Sequence, residues 1–398
     1  MPKLFQINVV SNVLSTGKIV EDISKVAVSN GWETYIAFGR DSKPSISEEI
    51  RIGGMLDVYF HYLLMKLFDR EGLASKIATR RLIGQIDKIK PDIVHLHNLH
   101  DHYLNYPELF VYLSKINVPV VWTQHDCWAF TGGCTYFDLH KCDKWKSECD
   151  TCPACRAFFN DLSNYHFNLK KTLLNRINHI AYVPVSDWLC KLLKSSHQSN
   201  REIVTIHNGV DIDLFHPYYK RKLHDNSRFS VLGGAAVWDR RKGLNDFLEL
   251  RRRLSFDYEI VLVGLSKEQI ASLPAGIKGI STTANIDELV KLYSKADVFV
   301  NPTYSDNFPT TNIEALACGT PVITYNTGGS PEAIDENTGV VVPQGNIGAL
   351  VDAIINMRRN PLSSEDCRNR AVNVFNKTKC FEKYIRLYER LMLSSGAK

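Results

Sequence analysis

The sequence predicts an α/β protein with two Rossmann-like, doubly wound domains. Short apolar runs alternate with helical segments along the chain, a pattern typical of parallel sheets covered by helices. With 398 residues, the chain is long enough for two domains that each bury a core. Polar and turn residues between His207 and Phe229 interrupt the alternation, and a new apolar run follows them. We therefore expect the boundary between the domains in this stretch.

The order of the apolar runs sets the expected domains. The runs before the interruption are FQINVV, TYIAFG, DIVHLH, PVVWTQ and AYVPVS, and REIVTIHNG leads into it. The runs after it are FSVLGGAA, EIVLVG, DVFVNP and PVITYN. This order predicts a first domain over residues 1–205 and a second over residues 206–377. The last segment, 378–398, carries aromatic and aliphatic residues at helical spacing, which predicts a terminal helix.

Composition limits the class of protein. Hydrophobic residues make up 44% and charged residues 23% of the chain, which is typical of a soluble globular protein. The net charge of +5 suits a protein that handles anionic phosphates, but does not decide the function. The N-terminus enters a strand directly, and no run approaches the roughly 18 apolar residues of a spanning helix. We expect a cytoplasmic protein whose ten cysteines are reduced unless they bind metal.

The stretch from Asn301 to Ile334 carries the strongest functional signal. It contains a buried strand end, a polar loop, a helix, a second strand and a glycine turn. Ligands of open α/β sheets bind beyond the carboxyl ends of the strands, and backbone N–H groups at a helix start favour an anion. Asp306 and Glu314 lie on either side of the helix start, where a carboxylate can accept both hydroxyls of a ribose. The predicted ligand-binding residues between them are Asn307, Phe308, Pro309, Thr310, Thr311 and Asn312.

A basic turn, GGAAVWDRRKGL, follows the first strand of the second half. Its glycines allow close approach of the backbone to a ligand, and Arg240, Arg241 and Lys242 bring positive charge to the strand end. Solvated surface charges are the alternative interpretation. Paired with Glu314 about 70 residues later, this turn predicts a phosphate contact.

Two polar loops follow strands of the first domain. One contains His97, Asn98, His100 and His102, which we expect to line a ligand pocket; the other begins with His125 and Asp126. We predict that His125 makes an orienting polar contact. The loop around Gly17 opens the first helix and is predicted to approach a donor phosphate, although an ordinary strand–helix turn explains it nearly as well.

Five cysteines, at positions 134, 142, 149, 152 and 155, lie within 22 residues. In a reducing compartment this spacing favours a structural zinc site with four thiolates. We predict Cys134, Cys142, Cys149 and Cys152 as ligands, within an insertion at about residues 127–156. A set without Cys134, redox-active cysteines and unliganded cysteines remain alternatives.

The phrases NFP, EALACGTPV and TGGSPE occur in the order found in the donor-binding motif of glycosyltransferase family four. The chain resembles these retaining enzymes, whose two Rossmann-like domains face each other across a cleft (the GT-B type fold). The resemblance implies that Glu314 holds the ribose of a nucleotide-sugar and that Lys242 neutralises its diphosphate. Asp306 stands where the family has a glutamate and is expected to face the transferred sugar or its phosphates. Ala235 to Val237 occupy the place of the family's second arginine, so either Arg240 or Arg241 takes that role or it goes unfilled.

The same resemblance implies a fuller description of the protein. His125 would face the donor sugar, and Asp126 would act as an acceptor-side base or ligand. The acceptor pocket would be lined by His97, Asn98, His100 and His102. The terminal helix would cross back onto the first domain. The expected reaction transfers a sugar from a nucleotide-sugar to a glycan or lipid-linked acceptor, with retention, in capsule or exopolysaccharide biosynthesis. No cofactor is required for catalysis. A subgroup of the family carries a similar cysteine-rich insertion, which favours the zinc set given above.

Three further interpretations follow from the pattern. Residues 55–90 pair an aromatic apolar helix with a basic one, so they either contact an anionic membrane peripherally or form an ordinary core helix with a solvated face. Another sugar-nucleotide enzyme of double-Rossmann shape, such as an epimerase, is one alternative function. A zinc-bearing nucleic-acid-binding protein is the other, but the local charges around the cysteines cancel, so we expect no nucleic acid.

Overall fold

The computed structural model describes residues 1–155, 157–218 and 228–395. The chain divides into two units: the first comprises Met1–His207 with Phe381–Lys398, and the second comprises Asn208–Cys380. Three parts of the predicted segments lie outside the described residues. They are residues 219–227 of the interdomain stretch, Arg156 of the cysteine-rich insertion and residues 396–398 of the terminal segment.

A seven-stranded parallel sheet forms the centre of the first unit, in the order β3-β2-β1-β4-β5-β6-β7. Its strands are β1 (Lys3–Asn8), β2 (Glu33–Phe38), β3 (Glu48–Arg51), β4 (Ile93–Leu96), β5 (Val120–Gln124), β6 (Ile180–Pro184) and β7 (Glu202–Ile203). Every residue of β4, β5 and β6 is buried, as expected for central strands covered on both faces.

Six helices of the first unit connect these strands. They are α1 (Leu14–Ser29), α2 (Met55–Phe68), α3 (Lys76–Ile89), α4 (Tyr106–Leu113), α5 (Ser163–Leu174) and α6 (Asp187–Lys194). Side-chain caps fix two of the helix starts: Asn105 accepts a hydrogen bond at the start of α4, and Ser186 does so at the start of α6.

The second unit contains a six-stranded parallel sheet in the order β10-β9-β8-β11-β12-β13. Its strands are β8 (Phe229–Gly234), β9 (Tyr258–Val263), β10 (Ile277–Ile280), β11 (Val298–Asn301), β12 (Val322–Tyr325) and β13 (Gly339–Val342). Its helices are α7 (Leu244–Arg253), α8 (Lys267–Ala271), α9 (Ile286–Lys295), α10 (Thr310–Ala317), α11 (Ile347–Arg359) and α12 (Ser364–Val374). The apolar side chains of β8, β9 and β11 pack with those of α7 and α11 into one core.

Both sheets reverse their strand order at one point. In the first unit the reversal lies between β1 and β4, and in the second it lies between β8 and β11. Ligands of doubly wound sheets bind outside the carboxyl ends of the strands at such a point. The loop after β11 and the basic turn after β8 therefore meet at the expected position in the second unit, as does the histidine loop after β4 in the first.

The terminal helix α13 (Lys377–Ser395) leaves the second unit, and its residues from Phe381 onward belong to the first. Tyr384 and Tyr388 are buried there, and their hydroxyls form hydrogen bonds with Thr123 at 2.9 Å and with His95 at 2.7 Å. The aromatic side chains that recur at helical spacing in the sequence thus anchor this helix on the first sheet.

Candidate active site

A charged cluster lies at the strand reversal of the second unit. Lys242 Nζ is 2.5 Å from Asp306 Oδ2, and Arg241 Nη1 lies 3.8 Å from the same oxygen. Arg241 also donates a hydrogen bond to the carbonyl oxygen of Ser305 at 3.0 Å. The three side chains are only 16–18% exposed, so solvent screens their charges less than it screens a surface pair. The turn after β8 and the loop after β11 are thereby joined by opposite charges.

Backbone contacts fix the position of this cluster. Asp239 caps the short 3₁₀ turn that carries the cations, accepting a hydrogen bond from the backbone N–H of Lys242. On the opposite side, Gly328 has φ +54°, and a Cβ atom there would lie 1.8 Å from the carbonyl oxygen of Asp306. The Gly329 N–H donates to that same oxygen at 3.2 Å. The glycines of the TGGSPE phrase therefore hold the Asp306 backbone in place.

Glu314 lies in α10, where its carboxylate is half-buried. The hydroxyl of Tyr293, on α9, donates a hydrogen bond to Glu314 Oε2 at 3.1 Å. Burial raises the pKa of Tyr293 well above its ordinary value, and the Glu314 carboxylate adds to the rise, so the tyrosine stays a neutral donor. Tyr293 thus orients the acid that the sequence assigns to the ribose, a role that no local sequence pattern indicated.

The remaining predicted donor residues differ in exposure. Thr310 and Thr311 are half-buried at the first turn of α10, which has no side-chain cap, whereas Arg240 is exposed. Asn312 is buried. Its side-chain oxygen accepts a hydrogen bond from the Asn301 amide at 2.8 Å, and its side-chain nitrogen donates to the Ser330 carbonyl at 3.3 Å. The Asn312 side chain therefore holds α10 against β11. Asn307, Phe308 and Pro309 are buried as well.

In the first unit, a chain of buried polar side chains supports His125. Gln6 Nε2 donates to the Val20 carbonyl at 3.0 Å, so its Oε1 faces His97 Nε2, which lies 3.0 Å away. His97 Nδ1 lies 3.1 Å from His125 Nε2. Burial lowers the pKa of His97 well below its ordinary value and that of His125 to about 4, so both rings are neutral near pH 7.

This network assigns the tautomers. His97 must donate through Nε2 to the Gln6 oxygen, which makes its Nδ1 an acceptor. His125 therefore carries its proton on Nε2, and its Nδ1 bears a lone pair. His97 is 1% exposed, so its position supports His125 and is unsuited to direct contact with an acceptor.

Asp126 and His100 form a second pair in this unit. His100 Nε2 lies 2.8 Å from Asp126 Oδ2, and the Trp128 N–H donates to Asp126 Oδ1 at 2.8 Å. Burial alone would lower the pKa of His100, but the charges of Asp126 and Asp101 raise it well above the ordinary value. Both oxygens of Asp126 are thus engaged, which favours a positioning role over that of a base.

The other predicted residues of this unit have separate surroundings. His102 Nδ1 lies 2.5 Å from Glu71 Oε2, and both side chains line a cavity together with His100. Asn98 is half-buried, and its N–H donates to Asn8 Oδ1 at 3.2 Å. Gly17 is buried in α1, where a Cβ atom would lie 3.0 Å from Val10 Cγ2. The glycine there allows close packing of α1 on the loop after β1.

The four predicted zinc ligands, Cys134, Cys142, Cys149 and Cys152, all lie among the described residues of the cysteine-rich insertion, and the zinc site stays a prediction. None of the ten cysteines forms a disulfide. Within the described residues of the first unit, Asp69, Cys155 and Asp161 form a metal-capable group whose ligand atoms lie within 4.8 Å of one another. The insertion packs around Trp145, whose ring contacts Phe130 and Phe137 at centroid distances of 5.1 and 5.0 Å.

Two family models match the chain. The model described as Glycosyltransferase Family 4 matches residues 16–214, which is half of the 398-residue chain. The chain belongs to this family. A second model, described as Glycosyl transferases group 1, matches residues 228–360. The prediction of a glycosyltransferase is confirmed, and the epimerase-like and nucleic-acid-binding alternatives are not favoured.

Relatives and solved structures agree with this assignment. The chain is 22% identical over 352 residues to WcaC of Escherichia coli (strain K12), provisionally named a colanic acid biosynthesis glycosyl transferase; the match covers 83% of this chain and 84% of WcaC. Sucrose-phosphate synthase from Thermosynechococcus elongatus has a TM-score of 0.74 at 18% identity, over 99% of this chain and 100% of that one. HepE of Anabaena, solved with UDP-glucose, has a TM-score of 0.65 at 13% identity, over 98% and 99%. The predicted two-domain glycosyltransferase fold is thereby confirmed.

Proposed function

We propose that this glycosyltransferase transfers a sugar from a nucleotide-sugar to a glycan or lipid-linked glycan, with retention, in cell-surface polysaccharide biosynthesis such as that of capsule or exopolysaccharide. The observation that carries the proposal is the cluster of Lys242, Arg241 and Asp306 at the strand reversal, in the loop that leads into α10. Cations and a helix start without a side-chain cap favour a diphosphate. The UDP-glucose bound to HepE and the name of WcaC support the donor class and the pathway class.

The charges of this cluster match those that develop in the reaction. When the bond between sugar and diphosphate breaks, its electron pair passes to the diphosphate oxygen and the sugar gains oxocarbenium character. In our proposal, the Lys242 ammonium, which is paired with Asp306, also attracts the negative charge that develops on the departing diphosphate. The Arg241 guanidinium adds to this attraction. Groups placed before the reaction in this way stabilise the transition state more than the ground state. Side-chain cations supply this charge, so no cofactor is needed for catalysis.

Retention follows from attack on the face that the diphosphate leaves. We propose that a departing phosphate oxygen takes the proton of the acceptor hydroxyl while the hydroxyl oxygen bonds to the anomeric carbon. One C–O bond breaks and another forms on the same face. Asp306, held against Lys242, is positioned to stabilise the sugar rather than to attack it.

Two further side chains hold the donor in this proposal. Glu314, oriented by Tyr293, accepts the hydroxyl groups of the ribose. His125, whose ring is held by its hydrogen bond with His97, makes a polar contact that orients the transferred sugar. A neutral histidine suits this task, since it can orient a hydroxyl without adding charge.

We also propose that the enzyme works at the cytoplasmic face of a membrane, where lipid-linked acceptors are available. Among the described helices, none is both long and apolar enough to cross a bilayer. The outer face of α2 and the neighbouring segment expose large apolar side chains, including Leu56 at 85%, Phe158 at 72% and Phe159 at 71%. Exposed basic residues, Arg70, Lys76 and Arg81, flank this surface, which suits an anionic lipid surface.

The donor and the stereochemistry are testable with the full-length protein. A panel of UDP-, GDP-, ADP- and dTDP-hexoses is screened by thermal shift, and the product formed from the stabilising donor is examined by NMR. We expect one nucleotide family to stabilise the protein and the product to keep the donor's anomeric configuration. An inverted product would contradict retention, and no stabilisation by any member would contradict the donor class.

A further inference from the structure

A buried lysine of the first unit takes no part in the mechanism proposed above. Lys170 lies on α5 and is 0% exposed. Lysine is almost never fully buried, because removing its amino group from water costs free energy unless polar contacts replace the lost hydration. A methionine would fill a similar volume without that cost. The contacts that Lys170 makes must therefore explain why a lysine occupies this position.

Two contacts of the Lys170 amino group are with Trp128. The Nζ atom donates a hydrogen bond to the Trp128 carbonyl oxygen at 2.5 Å. The same atom lies over the Trp128 indole, 3.9 Å from the ring centroid, where the aromatic face attracts an ammonium group. One side chain thus holds both the backbone and the ring of Trp128.

Trp128 connects this lysine to the loop after β5. The Trp128 N–H donates to Asp126 Oδ1 at 2.8 Å, and the other carboxylate oxygen of Asp126 lies 2.8 Å from His100 Nε2. His125 directly precedes Asp126 in the chain. The position of the loop that carries His125 and Asp126 therefore depends on Trp128, and Lys170 restrains Trp128 from the buried side.

We propose that Lys170 is a positioning residue for sugar transfer, which holds the loop after β5 in the arrangement that lets His125 orient the transferred sugar. The inference rests on the proposed function and adds a buried residue to it. Misplacing a group that contacts the substrate by about 1 Å can cost about 10²-fold in rate. Loss of the Lys170 amino group should therefore lower kcat, while the charged cluster of the second unit still binds the nucleoside diphosphate.

Three variants distinguish this role from a structural one. Lys170→Met removes the amino group and keeps the length of the side chain, and replacing buried charge by an apolar group of similar volume is often neutral for stability. Lys170→Arg keeps the charge and the hydrogen-bond donors. Lys171→Met is the matched control, because Lys171 is the next residue of α5 and is exposed.

The test uses the full-length protein and the member of the UDP-, GDP-, ADP- and dTDP-hexose panel that stabilises it. Release of the nucleoside diphosphate is measured with octyl glycosides of glucose, galactose, mannose and N-acetylglucosamine present as acceptors. In Lys170→Met we expect kcat to fall by about 10–10²-fold. The affinity for the nucleoside diphosphate, measured by titration calorimetry, and the thermal unfolding temperature should stay close to those of the wild type.

The other two variants should behave differently from Lys170→Met. Lys170→Arg should keep kcat within about threefold of the wild type, because the guanidinium can donate to the Trp128 carbonyl and lie over its ring. Lys171→Met should match the wild type in every measurement. A structural role for Lys170 predicts the opposite result in Lys170→Met, namely a lower unfolding temperature with kcat unchanged.

Three outcomes would overturn the proposal. They are wild-type kcat in Lys170→Met, an equal loss of nucleoside diphosphate affinity in that variant, and a folded Lys170→Arg that is no more active than Lys170→Met. If Lys170→Met does not fold, Lys170→Gln replaces it, since glutamine is too short to make both contacts with Trp128 but remains polar. Wild-type kcat in Lys170→Gln, or failure of this variant to fold as well, would also overturn the proposal.

The wild-type protein separates this failure from failure of the proposed function. A wild type that releases no nucleoside diphosphate from any donor would contradict the proposed function, and the role of Lys170 with it. A wild type that is active beside an equally active Lys170→Met would contradict the role of Lys170 alone.

Discussion

The strand reversals of the two units differ in how they use polar side chains. In the first unit, the strand ends bury neutral groups that bond to one another, such as Gln6, His97 and His125. In the second unit, the corresponding position holds a close pair of full charges, Lys242 and Asp306. The same sheet topology thus carries two chemically different sites.

The difference matches the two kinds of substrate in a glycosyl transfer. A diphosphate needs cations that are positioned before it arrives, whereas a sugar needs acceptors and donors of hydrogen bonds with little net charge. A neutral network also keeps the orientation of His125 independent of small pH changes near neutrality, because burial lowers the pKa of that histidine to about 4. Five predictions test this division.

The largest effect is expected from Lys242→Ala in the second unit. Loss of one preorganised cation should lower kcat for sugar transfer by about 10²–10³-fold, by analogy with removing one oxyanion-hole donor. The control is Lys278→Ala, an exposed lysine on β10 of the same unit, which should keep full activity. Steady-state kinetics with the identified donor measures both. Equal activity of the two variants would show that Lys242 does not contribute to sugar transfer.

Asp306→Asn tests the same ion pair, because it removes the negative charge that pairs with Lys242. We expect kcat for sugar transfer to fall by about 10²-fold, while the thermal unfolding temperature stays close to that of the wild type, because asparagine has nearly the same shape as aspartate. The double variant Lys242→Ala with Asp306→Asn should be no worse than the single lysine variant if the two residues act as one unit. Strictly multiplicative losses would mean that they act separately.

Membrane binding should depend on the first unit alone. Phe158→Ser should weaken co-sedimentation with vesicles of phosphatidylglycerol and phosphatidylethanolamine by about tenfold. A change of this size is expected when the free energy of burying one aromatic side chain in the membrane is lost. Phe256→Ser is the matched control, because Phe256 is similarly exposed, at 65%, but belongs to the second unit. Equal losses in the two variants, or no vesicle binding by the wild type, would contradict the proposed surface.

Acid should destabilise the first unit more than the second. Burial lowers the pKa of both His61 and His166 to about 4, from the ordinary value of 6.5. Their folded pKa values are depressed, so the stability that they contribute is present above pH 6.5 and is lost as the pH falls towards 4. Each contributes up to about 3 kcal/mol.

Hydrogen exchange at pH 7 and pH 5, corrected for the intrinsic rates, measures this difference. We expect protection to fall in β4 and β5 before it falls in β11 and β12. In the described part of the second unit the histidine is His216, which is exposed. An equal loss of protection in both sheets would show that the histidines do not govern acid stability.

The smallest effect is expected from Tyr293→Phe, which removes the hydroxyl that orients Glu314. Loss of a hydrogen bond to a charged group should weaken binding of the nucleoside diphosphate by about tenfold. Tyr325→Phe is the control, since that hydroxyl donates to the buried Asp246 at 2.8 Å instead. Titration calorimetry with the nucleoside diphosphate compares the two variants. Unchanged affinity in Tyr293→Phe would contradict the proposal that Glu314 binds the ribose.

Much of the fold could be predicted because central strands must be apolar. The strands β1, β4, β5, β8 and β11 all appear in the sequence as short segments rich in apolar residues. The predicted apolar runs do not include β3, β10 and β13, which lie at sheet edges. An edge strand is covered on fewer sides, and β3 is mostly exposed, so no apolar run marks it.

The site was predictable where its residues are close in the chain. Asp306, the helix start and Glu314 share one segment, and the basic turn has its own local pattern. Contacts made by tertiary packing left no such signal. Tyr293 comes from another helix, and the pairing of His100 with Asp126 depends on the register of neighbouring strands. The zinc set, which rests on the cysteine spacing and on the family resemblance, stays a prediction.

The most direct test of the account is hydrogen exchange of the full-length protein with and without the nucleoside diphosphate that stabilises it. The account predicts the strongest protection in peptides covering residues 239–243 and 302–317 of the second unit. Peptides covering residues 95–103 of the first unit should change less. Protection confined to the first unit, or none at the charged cluster of Lys242 and Asp306, would contradict the central claim.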